Sequence, residues 1–374
     1  MEGYPNALLK VFEKKFGILK TPSGVALCKF RQRISYKFFE EIFKKLIANF
    51  DQYRPTFRGL KIYAIDGKEF LIPRSEDILN EGYSGRAVSK YYDTHYAKMY
   101  VVHAYDVLSK TSKDLYEYSH LDEITGAVEM VKNFESDSLT IYDALYPATR
   151  IFKAHHQTKS YFLIRARKKG ILKPIQEFYS SKKKQGVAEI EGERVHMIKF
   201  KLPGSKKKDV FISNLPFNWI TKETILKLYA LRWECETSFR DLVYSTFKAE
   251  QWHSKFMNGI RQELFVKFWL YNFTRILVSL RTEKGPKSIG YEYKKTNYKQ
   301  VHLWILKKLD KILESKRGVL KEFNLLVNKL TRKRKRFSRK YPREIKYPGS
   351  SFIRNSTVLN RGMLQGDYTP ILGP

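Results

Sequence analysis

Apolar residues recur along this chain at two periods, and the helical period is clearest over 228–242, LYALRWECETSFRDL. The stretch holds no Gly or Pro, and Thr221 stands upstream as a candidate N-cap. At roughly 100° per residue, Leu228, Leu231, Cys235, Phe239 and Leu242 share one apolar arc. Tyr229, Arg232, Glu236 and Arg240 share the neighbouring arc. Such a helix can bury its apolar side while one carboxylate, flanked by two guanidiniums and a phenol, faces a cleft. Forked arginine hydrogen bonds suit oxyanions, and a carboxylate suits a hard cation. The same spacing also fits a solvated Arg–Glu surface pair worth a few tenths of a kcal/mol.

Before that helix, Ser35 can cap a helix over Tyr36–Phe50 whose apolar face is Phe38, Phe39, Ile42, Phe43, Leu46 and Ile47. The basic patch ahead of it, KFRQR at 29–33, reads either as a solvated helix end or as a DNA contact. Residues 60–65 then predict a strand ending on Asp66-Gly67, a dipeptide that is also a hairpin-turn signal. A polar loop over 82–96 leads to strands over 98–108 and 114–120 and a short helix over 126–134. Residues 138–142 predict a buried strand ending on Asp143, followed by a helix over 147–156 and a strand over 160–167. Two strands from separate parts of the chain thus end on an Asp, and sites in open α/β sheets gather at such strand ends.

Alternation over 187–214, with a Pro-Gly-Ser turn at 203–205, predicts an antiparallel β insertion. Its lysines read equally as a protected, solvated edge or as a DNA-facing flap. Residues 261–281 predict a long, largely buried helix, and 301–330 a further amphipathic helix or pair. Over 332–343, eight of twelve positions are basic, either a solvated charge run or a nonspecific phosphate contact. The tail past 347 is expected to be poorly ordered.

Composition narrows the class. Apolar content of 43% with 15% aromatic residues, in 374 residues, points to a folded chain of two to three domains. The 71 Lys and Arg against 38 acids give +33, a charge that calls for a polyanionic partner, nucleic acid first, with Tyr and Phe as stacking surfaces. An anionic membrane fits less well, since the most apolar segment, 263–280, is interrupted by Lys267 and Arg275. Cys28 and Cys235 lack metal-ligand spacing and read as packing residues of a reducing compartment. The first residues carry no signal-peptide pattern, so the expected location is cytoplasmic.

Three carboxylates, each on a regular element, stand in the order Asp66, Asp143, Glu236. With them the chain resembles the DDE transposases of bacterial insertion sequences, in the branch marked Tyr-x2-Arg-x3-Glu-x6-Lys. That signature falls here on Tyr229, Arg232, Glu236 and, in place of Lys, Val243. The blocks Ala64-Ile-Asp66-Gly and Thr140-Ile-Tyr-Asp143-Ala-Leu-Tyr146 agree as well, and the likeness runs from about residue 25 to 280. There are two departures: Val243, which removes a DNA-backbone contact, and Asp143-Ala-Leu-Tyr146 where the family usually has Asp-Arg-Gly-Tyr.

The resemblance implies an α/β fold: an RNase H-like mixed sheet flanked by helices, interrupted by an antiparallel β insertion, with helical N- and C-terminal regions. The corresponding parts are a basic helical DNA-binding region over 1–57, catalytic segments over 58–168 and 221–285, the insertion over 169–220, and a basic helical region and tail over 286–374. It implies that Asp66, Asp143 and Glu236 bind two Mg2+ ions, with Mn2+ as substitute. Tyr229 and Arg232, with Arg240 beside them, would contact DNA. The implied reaction is hydrolysis at the ends of the element and strand transfer into target DNA by a homodimer, with no membrane partner, in the bacterial nucleoid. Two alternatives remain: a decayed or repurposed DNA-binding protein, suggested by the departures, and a metal-dependent nuclease that cuts without strand transfer.

Overall fold

The strand β1 covers Lys61–Pro73, so it runs through Asp66 and Gly67 instead of turning there. Its partner explains why. Strand β2 (Tyr96–Asp106) lies antiparallel along it, from Tyr63 opposite Asp106 to Pro73 opposite Tyr96. A continuous ladder outweighs the local turn preference of Asp-Gly, and it places Asp66 directly opposite His103. In the computed structural model, the described residues are 23–84, 96–120, 122–166, 172–202, 208–242, 251–281 and 294–333. Val243, most of the 82–96 loop, most of the basic run at 332–343 and the tail lie outside them. Residues Met1–Arg332 form one compact unit and Lys333–Pro374 a second.

The other strands of the main sheet are β3 (Thr111–Tyr118), β4 (Ser138–Tyr142), β5 (Tyr161–Ala166), β6 (Gln185–Ile190), β7 (Glu193–Lys201) and β8 (Lys208–Ser213). They form one eight-stranded mixed sheet in the order β3-β2-β1-β4-β5-β8-β7-β6. Strands β4 and β5 run parallel to β1, while β2, β3, β6, β7 and β8 join by antiparallel pairing. This is the RNase H-like arrangement of an α/β chain. The strands expected as an antiparallel insertion, β6, β7 and β8, pair antiparallel and extend the main sheet through β8 on β5.

The helices are α1 (Gly24–Arg33), α2 (Tyr36–Phe50), α3 (Glu76–Asn80), α4 (Glu123–Val131), α5 (Thr149–Thr158), α6 (Lys173–Ser180), α7 (Lys222–Leu231), α8 (Trp233–Arg240), α9 (Met257–Ser279), α10 (Tyr298–Leu313) and α11 (Val319–Leu330). Strand periodicity sends alternate residues of β1 to opposite layers. Ile62 and Ala64 pack with residues of α2, α7, α8 and α9, whereas Tyr63 and Ile65 pack with those of α4, α5 and α6. The result is helices on both faces of one sheet. The amphipathic segment after 300 resolves into the pair α10 and α11, packed around Val301, Ile305, Phe323 and Val327 with Val278.

The basic patch at 29–33 has a structural partner. Arg31 Nη2 binds Glu263 at 2.6 Å and the Gly259 carbonyl at 3.0 Å, and its Nε donates to Gln262. These bonds dock α1 on α9. Of the cysteines, Cys235 is buried as expected, but Cys28 is exposed on α1.

Candidate active site

The register of β1 with β4 sets the site. Ala64 lies beside Ile141, and two residues further along each strand come Asp66 and Asp143. Strand β4 ends at Tyr142, so the two acids stand at the same level where the strands part. Backbone amides orient both: Gly67 N–H donates to Asp66 Oδ1 at 3.1 Å, and Ala144 N–H to Asp143 Oδ1.

The third acid arrives on α8. Thr221 caps α7 as expected, accepting from Thr224 N–H at 3.2 Å. The helix tightens at Arg232, where Arg232 N–H donates to the Tyr229 carbonyl at 3.1 Å and Cys235 N–H to the Arg232 carbonyl at 3.0 Å. These three-residue bonds are 3-10 in type, and they divide α7 from α8 without changing the helical hand of the chain. Leu228, Cys235, Phe239 and Leu242 are buried, as their arc predicts. Arg232 is also buried, at 8% exposure, and its Nη2 holds Glu236 Oε1 at 2.7 Å. The pair is therefore no solvated surface bridge. Arg240 stands exposed one turn beyond Glu236.

The charges couple across these elements. Burial pushes the Asp66 carboxyl up to about 7, the charges of Glu123 and Glu236 add to that, and Arg232 works against it. Arg232 in turn feels Tyr229, Glu236 and Asp143. Tyr229 is raised by burial first, with Arg232 pulling it down and Asp143 pushing it up. The five predicted residues Asp66, Asp143, Tyr229, Arg232 and Glu236 thus share one electrostatic neighbourhood.

A fourth carboxylate belongs to it. Glu123, in the first turn of α4, lies so close to Gly67 that a Cβ there would stand 2.6 Å from its Cγ and Oε1. Its pKa is raised by burial and further by Asp143, with the Tyr146 hydroxyl opposing. In the sequence Glu123 looks only like an acid at a helix N-terminus, where the helix dipole favours one. Its sole further signal is the glycine that must follow Asp66.

The same neighbourhood holds buried donors lacking close hydrogen bonds. Arg232 Nε is buried without a hydrogen-bond partner among the described residues, while the Tyr146 hydroxyl faces Glu123 and the Tyr229 hydroxyl faces Arg165 without close hydrogen-bond geometry. Buried donors of this kind carry a desolvation cost that an incoming oxyanion would relieve. The acids offer only oxygen donors, which suits hard divalent cations. Among the described residues, however, no three His, Cys, Asp or Glu side chains converge into a ready-made metal cage. No helix among these residues is long and apolar enough to cross a membrane.

Comparison with known proteins identifies the family. Residues 58–273 match the family described as the transposase DDE domain. No curated protein matches the chain. Among solved structures, a cryo-EM structure of the piggyBac transposase synaptic complex with hairpin DNA is similar at 12% identity and a TM-score of 0.38. That similarity covers 84% of this chain and 63% of the other, so this chain spans less than two thirds of its length.

Proposed function

The chain belongs to the transposase DDE domain family, and from that premise we propose that it is a DNA transposase whose acids are Asp66, Asp143 and Glu236. The observation that carries the reading is the meeting of crowded carboxylates with buried donors lacking close hydrogen bonds, beside the middle of β1 and the end of β4. The acids would hold two Mg2+ ions, or Mn2+ in their place. Bound divalent cations supply the charge that makes a nucleophile of water or a 3′-hydroxyl and steadies the leaving oxygen.

The remaining work falls to the chain's own groups. Arg232 Nε and the Tyr229 hydroxyl accommodate DNA phosphate oxygens beside the cut. Arg232 also holds Glu236 Oε1 at 2.7 Å, and phosphate engaging Arg232 would loosen that contact, coupling DNA docking to completion of the acid set. Arg240 adds a phosphate contact at the rim, and two copies of the chain pair the two element ends.

Incubating the full chain with linear DNA carrying its native flanking ends, with Mg2+, tests the proposal. Cleavage followed by joined product supports it, and Asp66→Asn, Asp143→Asn and Glu236→Gln should each abolish cleavage while gel-shift binding persists. Binding without any cleavage favours the decayed form that Val243 and the Asp143-Ala-Leu-Tyr146 block suggest. Cleavage without joining favours a nuclease.

A further inference from the structure

Beneath the site, between the sheet and α8, lies an imidazole that the proposed chemistry does not use. His103 on β2 is fully buried and sits directly opposite Asp66 in the β1–β2 ladder. Paired residues of neighbouring strands point to the same face, so His103 lies on the face of Asp66, under the helix that carries Glu236. Its ring is 4.2 Å from that of Phe239 and 5.6 Å from that of Phe268, in otherwise apolar surroundings.

Its hydrogen bonds all run between elements. Nε2 lies 3.2 Å from Cys235 Sγ and 3.3 Å from Ser238 Oγ, both on α8. Nδ1 lies 3.3 Å from Ser112 Oγ on β3. The Ser238 hydroxyl donates to the Cys235 carbonyl at 2.6 Å, so toward the ring it accepts, and Nε2 carries the proton. Nδ1 is then free to accept from Ser112. Ser112 is itself fixed to α9, its N–H donating to Asn272 Oδ1 at 2.7 Å and its carbonyl accepting from Asn272 Nδ2 at 2.8 Å. A bonded chain therefore runs from α9 through β3 and β2 to α8.

The helix it grips is otherwise held by the packing of Cys235 and Phe239 in the core and by the ion pairs Lys110–Glu234 and Arg275–Asp241. α8 has eight residues and no side-chain N-cap, and follows the tight turn at Arg232. An apolar side chain of similar size would fill the His103 site without desolvating an imidazole, and buried polar groups are often replaceable at no loss of stability. What an apolar residue cannot supply is directional bonding that sets the rotation and axial height of α8. We infer that His103 is a positioning residue that fixes Glu236, next to its bonded neighbour Cys235, relative to Asp66. The inference rests on reading Asp66 and Glu236 as site acids. Reactive groups misplaced by about 1 Å can lose on the order of 100-fold in rate.

The test uses the full chain with His103→Leu, which keeps the volume and removes the bonds. Ser238→Ala, which removes one bond from the α8 side only, serves as the second variant. Amide exchange over 233–242 should quicken about tenfold in His103→Leu while exchange over 138–142 stays unchanged, a local opening. Cleavage at saturating DNA should fall on the order of 100-fold, with end-binding affinity within about twofold. Ser238→Ala should shift both readouts in the same direction by less, and His103→Gln, which keeps a donor near Nε2, should recover part of the cleavage. Unchanged exchange over 233–242 in both variants, or wild-type cleavage in His103→Leu, overturns the inference. If the wild-type chain does not cleave, the exchange readout still judges the role of His103, and the missing cleavage counts against the proposed function alone.

Discussion

Strand β1 carries two buried polar clusters, one at its start and one around its middle, built on opposite plans. At its start, Arg54 and Asp106 are both about 1% exposed and joined at 2.6 Å, and Arg54 also reaches Asp51 at 2.8 Å and the Tyr63 hydroxyl at 2.9 Å. Lys61 and Lys113 complete the set with Asp51 and Glu135, at 3.0 and 2.8 Å. Three cations thus face three acids. Burial alone would raise Glu135, yet the hydrogen bond and charge of Lys113 carry it down to about 2. At mid-strand, Asp66, Asp143 and Glu236 share Arg232 with Glu123 beside them, and burial with the neighbouring acids drives Asp66 up to about 7. The first cluster is complete within the protein. The second has excess negative charge and buried donors lacking close hydrogen bonds, the pattern expected where a fold gives up local stability for a site.

The largest expected effect breaks the complete cluster. Arg54→Ala leaves Asp106 buried without its cation and should cost about 3–5 kcal/mol in a denaturant melt. A loss below about 1 kcal/mol would mean the network is loosely coupled to the fold.

Asp66→Asn should do the opposite. The folded carboxyl titrates at about 7 against an ordinary 3.8, so folding favours its protonated form. That preference is fully present below about 4 and is lost as pH rises toward 7. The wild-type chain therefore loses on the order of a few kcal/mol over that window, and Asp66→Asn does not. Melts at pH 4 and pH 8 check this: the variant should gain much more on the wild type at pH 8 than at pH 4, and equal differences at both would remove Asp66 from the crowded set.

A smaller effect sharpens the comparison. Glu123→Gln removes the leading charge acting on Asp66, so Asp66 should ionise at lower pH. The rising limb of the cleavage–pH profile should move down by somewhat under one pH unit. Loss of all cleavage would instead give Glu123 a direct part in the chemistry.

Much of this site is visible in the sequence because its parts are local. Asp143 follows a short apolar strand, and the arcs of 228–242 place Arg232 and Glu236 together beside a buried face. What is hidden depends on contacts distant in sequence. Asp66-Gly67 reads as a turn because nothing nearby reveals the ladder with 96–106, and Gly67 is small because Glu123 fills the space its side chain would need. Arg31 looks like a DNA contact until Glu263, more than 200 residues away, takes its charge. His103 gives no sign at all, being one of several polar residues of β2, with its partners on two other elements.

We propose that the crowded middle of β1 is a cation site centred on Asp66. Thermal melting at pH 8 with increasing Mg2+ or Mn2+, wild type beside Asp66→Asn, tests it without DNA or turnover. Divalent ions that bind the folded state should raise the wild-type melting temperature progressively and leave Asp66→Asn nearly unchanged. The same rise in both, or none in the wild type up to millimolar metal, would contradict the claim.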